Sequence, residues 1–112
     1  MLHPLEPPRQ SYLSQCLADA PGVFVTASDY VKTLPDSVAR WFPRPPVSLG
    51  TDGFGRSDGR HALRDFFEVD ARHITFATLS ALARDYGLPE AVLRQAMRAL
   101  EIRPDKVNPM QA

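Results

Sequence analysis

The segment Gly50-Thr51-Asp52-Gly53-Phe54-Gly55-Arg56-Ser57-Asp58-Gly59 is where residue types and spacing first invite chemistry. Glycines let a backbone approach a ligand closely, and a loop between a strand and a helix is where open α/β sheets bind ligands. The spacing does not suit a phosphate cradle. Gly53 to Gly59 reads G-x-G-x-x-x-G with no Gly-Lys-Ser/Thr after it. Asp52 and Asp58 would repel a phosphate unless Arg56 offset them. Two readings stay open. One is a structural turn, with glycines at positive φ and Asp58 capping the next helix. The other is a contact loop, with Asp52, Phe54, Arg56 and Asp58 as the candidate interface residues.

Other reactive side chains promise less. Asp70 and His73, and equally Asp58 and His61, lie three apart on a helical face. A carboxylate and an imidazole fall short of the three or four ligands of a stable zinc site, so surface pairs are expected. The single cysteine, Cys16, is expected to be a small buried apolar residue. No Ser-His-Asp or Cys-His constellation emerges, so no catalytic, metal-binding or cofactor-binding residue is assigned.

The elements that must position the loop follow from pattern. Residues 1–8 hold three prolines and read as an extended lead-in. A short helix is expected over Arg9–Ala18, with Tyr12, Leu13, Cys16 and Leu17 on one face and turn residues at Asp19–Gly22. Val23–Thr26 is a β-branched and aromatic run, apolar on both faces, as strands of parallel sheets are. Ser28 or Asp29 can cap a helix running to Phe42, kinked or restarted at Pro35. Val47–Leu49 follows as a second strand. Strand, helix and strand in that order make a parallel βαβ unit. Three helices come next: from Ser57 or Asp58 to about Glu68, from an Asp70 cap to Gly87, and from Pro89 through Val92, Leu93, Ala96, Met97 and Leu100. The middle one is apolar around most of its circumference and is expected to be largely buried. Arg84, Asp85, Arg94 and Arg98 read as solvated faces, and residues 101–112 as an extended tail. Two short strands are not a stable sheet, so the pattern reads as part of a sheet domain whose other strands lie elsewhere.

With 112 residues the chain holds one domain. Thirteen basic and thirteen acidic side chains balance, which removes the electrostatic case for nucleic acid or an anionic membrane as partner. The N-terminus has no basic, apolar leader, no stretch approaches a membrane span, and one cysteine fits a reducing cytoplasm.

The run Val47 to Asp58, followed by Leu63-Arg64-Asp65-Phe66-Phe67-Glu68-Val69-Asp70, resembles the homodimeric pyruvate dehydrogenase first component. That family's C-terminal domain carries GTDGFGRSD, then LR and FFEVD at the same separation. Asp29-Tyr30 with Lys32 is similar to its DY-x-K, Leu2-His3-Pro4 to its LHP, and Arg103 to Pro109 to its terminal DPDKPNP. The resemblance is collinear and covers nearly the whole chain. It implies an enzyme of three transketolase-like domains that decarboxylates pyruvate on thiamine diphosphate with magnesium and acetylates a lipoyl group. The family holds its cofactor between the first and middle domains, and no family catalytic residue maps onto this chain. The family's C-terminal domain also begins before the equivalent of Met1, with a strand-helix-strand portion.

The expected fold is therefore α/β: an incomplete transketolase C-terminal-like domain, one parallel βαβ unit followed by three helices. The expected role is a structural, dimer-supporting piece without a cofactor of its own. Its partners would be the remaining domains or the second subunit, with self-association through unpaired strand edges if isolated. A stand-alone docking module using the Gly50–Gly59 loop is the alternative, and a small ligand-binding protein a third.

Overall fold

A computed structural model of the chain describes residues 2–112; Met1, the first residue of the expected lead-in, lies outside the described residues. The chain runs through helix α1 (Tyr12–Leu17), strand β1 (Val25–Ala27) and helix α2 (Thr33–Val38), which passes into a 3-10 turn at Ala39–Trp41. Strand β2 (Val47–Leu49) follows, then helices α3 (Arg60–Phe66), α4 (Ala71–Tyr86) and α5 (Glu90–Ala99), and a last 3-10 turn at Pro109–Gln111. The strands pair in parallel with Val25 opposite Val47 and Ala27 opposite Leu49. The βαβ unit and the three helices after it are thus present.

β1 begins two residues later than Val23. Arg44 explains the shift. Its guanidinium donates to the carbonyls of Gly22 (2.8 Å) and Ala20 (2.7 Å) and lies 4.9 Å over the Phe24 ring. That holds residues 20–24 as an approach to the ladder, which the chain joins when Val47 N donates to the Phe24 carbonyl at 2.9 Å.

Neither expected cap of α2 serves it. The N-cap is Lys32, without a side-chain bond. Ser28 Oγ instead accepts from the Tyr30 amide at 3.0 Å, and Asp29 turns to Arg64. Pro35 causes no kink, because it falls in the first turn of α2, where its missing amide has no intrahelical acceptor to lose. The helix changes character later, after Val38.

α4 starts and stops as the sequence dictates. Asp70 Oδ1 accepts from the His73 amide at 3.0 Å, and Gly87 ends the helix at φ 70°. Pro89 is the cap of α5, one place before its expected first helical position. α4 is not largely buried as expected, since His73 and Ala81 are its only buried residues. Its sixteen residues span about 24 Å, whereas a three-residue strand reaches about 10 Å. The helix overhangs the sheet it covers, and α5 meets only part of the remainder. Thr75, Thr78 and Ser80 return their hydroxyls to the carbonyl four residues back, each at 2.8 Å.

Cys16 is exposed rather than buried, and the six-residue α1 that carries it has no buried residue. The tail is not a free extension either. It returns across the Gly50–Gly59 loop, with Lys106 reaching Asp65 and the Pro109 carbonyl lying beside Gly53.

Among the described residues Val69 and Ala81 are the only buried apolar ones, and no large side chain is fully enclosed. The accessible surface is 8510 Å², against about 6,200 Å² for a compact protein of this mass. The radius of gyration is 17.1 Å and the extents are 53 × 36 × 20 Å, where a compact chain of this length gives about 13 Å. The molecule is a plate with a thin core.

Two helix ends carry left-handed glutamates where glycine is the usual residue: Glu68 after α3 (φ 61°) and Glu101 after α5 (φ 54°). Glu101→Gly should therefore raise stability by about 0.5–1 kcal/mol, and Gly87→Ala should lower it by about 1 kcal/mol. Urea midpoints read at constant slope check both signs.

Candidate interface loop and the ionic cluster beneath it

The base of the Gly50–Gly59 loop is sewn to the segment following β1. Thr51 N donates to the Tyr30 carbonyl at 2.9 Å and Thr51 Oγ1 to the Asp29 carbonyl at 3.0 Å. Asp52 Oδ1 accepts from the Lys32 amide at 2.8 Å, and its Oδ2 lies 3.4 Å from the Lys32 ammonium. A Cβ on Gly50 would lie 2.7 Å from the Tyr30 carbonyl oxygen, so only glycine fits there. Gly53 is the one loop glycine at positive φ (108°), under the Pro109 carbonyl.

The tip is different. Phe54 is 78% exposed. The Arg56 guanidinium sits 4.2 Å over the Phe66 ring. Asp58 does not cap α3. Its Oδ1 accepts from the adjacent Gly59 amide at 2.7 Å, and Gly59, extended at φ −63°, occupies the N-cap itself. The four candidates therefore do not converge. Asp52 lines a cleft of about 310 Å³ under the tail, Arg56 and Asp58 line another of about 430 Å³, and Phe54 stands free. Asp58 and His61 share no ion pair among the described residues; His61 lines a neighbouring cleft of about 770 Å³ with Asp29, Arg64 and Asp70.

Asp70 and His73 do pair, and not on the surface. His73 is buried, its Nδ1 2.6 Å from Asp70 Oδ1. Around them lies a cluster that sequence spacing does not reveal. Arg72 Nη2 bonds both Asp70 Oδ2 (2.7 Å) and Asp65, whose other oxygen faces Lys106 Nζ at 3.3 Å and Arg103 at 3.5 Å. Burial tends to raise the Asp70 pKa, but bonds from the His73 amide and ring and from Arg72 outweigh it and lower it to about 2. Asp65 is likewise lowered, burial being overcome by Lys106 and Arg72. At the rim, Arg64 donates to both oxygens of Asp29 (3.1 and 2.7 Å) and lowers its pKa.

Asp65, Asp70 and His73 bring ligand atoms within 4.8 Å of one another, the spacing a cation site would need. Each carboxylate, however, already faces a guanidinium or ammonium group of the chain. Its charge is matched from within, and the cluster acts as a clamp joining α3, α4 and the tail.

This geometry belongs with a sequence that has known relatives. The chain is 42% identical to the pyruvate dehydrogenase E1 component of Cupriavidus necator over 110 residues, 98% of its length. It is 44% identical to that of Escherichia coli over 113 residues, and 41% identical to that of Mycolicibacterium smegmatis over 106. By sequence, the chain is similar to one stretch of pyruvate dehydrogenase E1 components along nearly all of its own length. It spans about 12% of the length of the curated relatives it matches. No protein-family model matches it. The E1 resemblance read from the glycine loop and the FFEVD stretch thus extends along the entire chain. No helix among the described residues is long and apolar enough to cross a membrane.

Two predictions follow from the clamp and the loop. Because the Asp70 pKa is depressed in the folded chain, its contribution is present above the unfolded value near 3.8 and is lost as pH falls towards 2. Unfolding free energy should decline across that window, and the decline should be smaller by about 2 kcal/mol in Asp70→Asn. Denaturant titrations between neutral pH and pH 2 measure the difference. Separately, an alanine at Gly53 would put its Cβ 2.5 Å from the Pro109 carbonyl oxygen. Gly53→Ala should lift the tail, read as faster deuterium uptake at Lys106 to Gln111 with α4 unchanged.

Proposed function

We propose that the chain is the later part of the transketolase-like C-terminal domain of a pyruvate dehydrogenase E1 component, and that its work there is structural. It braces the neighbouring domains and the second subunit. Pyruvate decarboxylation on thiamine diphosphate with magnesium falls to the rest of that enzyme, in the cytoplasm. The observation carrying this reading is the collinear identity, 40–44% along the whole chain with proteins of that one name.

The surface supports it. The chain exposes 8510 Å², about 2,300 Å² more than a compact protein of its mass. One partner's share of a large obligate interface is of that order, where totals run from about 2,000 to 5,000 Å². Tyr30, Val31, Leu34 and Trp41, along α2 and its approach, contribute apolar area to that excess. A parallel strand pair without outer neighbours also leaves two ladder edges open to further strands. The second reading, a module docking on a complete E1 component through the glycine loop, is favoured by one feature, the exposed Phe54 on a loop whose base is fixed.

Pairing the purified chain with an Escherichia coli E1 component deleted for the matched segment separates these. The chain alone should release no carbon dioxide from pyruvate. Co-expression should restore soluble, active enzyme to the deleted protein. Turnover by the isolated chain would overturn the proposal, and binding to the complete E1 component without rescue would favour the docking module. Light scattering of the isolated chain should show dimers or larger species; a clean monomer counts against the open edges.

A further inference from the structure

The cleft between the glycine loop and α3 has a chemistry the structural role does not use. It opens at the carboxyl ends of the parallel strands, between Asp29, two residues past β1, and Thr51, two past β2. Open α/β sheets bind ligands in that position. Its volume is about 430 Å³. Leu63, Phe67 and Val69 provide an apolar floor. Arg56, Arg60 and Arg64 also line it, the last two one turn apart on one face of α3. Against three guanidinium groups stand two carboxylates, Asp29 and Asp58. Asp29 is taken up by Arg64 through two bonds, and Asp58 by the Gly59 amide. Among the described residues, no amide from Gly53 to Asp58 donates to a protein acceptor. One positive charge is thus in excess over an apolar floor, beside a run of available N–H donors.

We propose that this cleft binds a carboxylate carried on an apolar body, with Arg60 and Arg56 holding the anion and Leu63, Phe67 and Val69 the body. Charge decides against phosphate. A dianion would overshoot the single excess charge and meet Asp29 and Asp58, while a monoanion balances it. The apolar floor further favours an organic acid over a bare inorganic ion. A free small acid and an acidic residue on another polypeptide present the same carboxylate. The proposal rests on the cleft and not on the E1 reading, so rescue of a deleted E1 component can fail while it stands.

Amide resonances of the isotope-labelled full chain are followed while phenylacetate, phenylacetamide, inorganic phosphate or an acetylated Phe-Asp peptide is added. Phenylacetate and the peptide should each produce saturable shifts at Gly53, Gly55 and Arg60, and phenylacetamide none. Arg60→Gln and Arg56→Gln, both at exposed positions, should each weaken binding about tenfold. Arg98→Gln on α5, outside the cleft, should leave it unchanged. Tighter binding of the peptide points to a polypeptide source and tighter binding of phenylacetate to a free acid. A thermal-shift series with the same probes gives a second readout. No saturable response by either method, an equal response to the amide or phosphate, or unchanged affinity in both cleft variants overturns the proposal.

Discussion

A sheet of two strands, each three residues long, can cover little apolar surface, and most features of this molecule descend from that limit. A buried Leu or Val side chain contributes about 1.5–3 kcal/mol, and here, among the described residues, Val69 and Ala81 are the only buried apolar ones. Helices that would ordinarily be held by packing are held by polar bonds. The clamp of Asp65, Asp70, Arg72 and Lys106 joins α3, α4 and the tail; the Arg64–Asp29 pair joins α3 to the segment after β1. Exposed ion pairs contribute about 0–1 kcal/mol each, so they orient the helices without replacing a core. The apolar residues left outside then mark where another surface is needed.

The glycine loop shows how one segment divides between two duties. Gly50, Thr51 and Asp52 close against Tyr30 and Lys32 at contact distance, which leaves no room for a Cβ at the first position and anchors the third by a carboxylate. Past Gly53 the chain bonds almost nothing of its own, and the side chains of Phe54 and Arg56 face outward or over α3. A fixed base and an unengaged tip is the arrangement a contact loop requires, because the entropy of ordering it is largely spent in folding.

Local signals were legible in the sequence. The parallel βαβ unit follows from β-branched runs flanking a helical pattern, and the ends of α4 follow from Asp70 and Gly87. What escaped is set by contacts distant in the chain. Arg44 delays β1 from across the strand pair, Asp29 leaves its cap position for an arginine 35 residues on, and Lys106 finds Asp65 over 41. Such pairings carry no period. The clamp left one faint trace, Asp65 and Arg72 seven residues apart across a helix break, which a search for two-ligand metal spacings passes over. Burial of Cys16 and of α4 was overestimated for a related reason: apolar patterning reports which face seeks cover, not whether the chain supplies it.

The corner between α3 and α4 couples the thin core, the clamp and the clefts. Glu68 takes a left-handed conformation, which lets the Val69 amide reach back to the Arg64 carbonyl at 3.0 Å, and Asp70 caps α4 one residue later. With so short a connection the two helix axes are fixed relative to each other, and Val69 is forced inward as the pivot. Val69 lies on the wall shared by the clefts of about 770 and 430 Å³ at the strand ends, as do Arg64 and Asp29. The strain of a non-glycine residue at positive φ, of order 1 kcal/mol, is thus located where it sets the direction of α3. The direction of α3 in turn decides that Arg60 and Arg64 line the cleft. A chain with a deeper core could place those arginines by packing; this one does it with a backbone corner and a clamp.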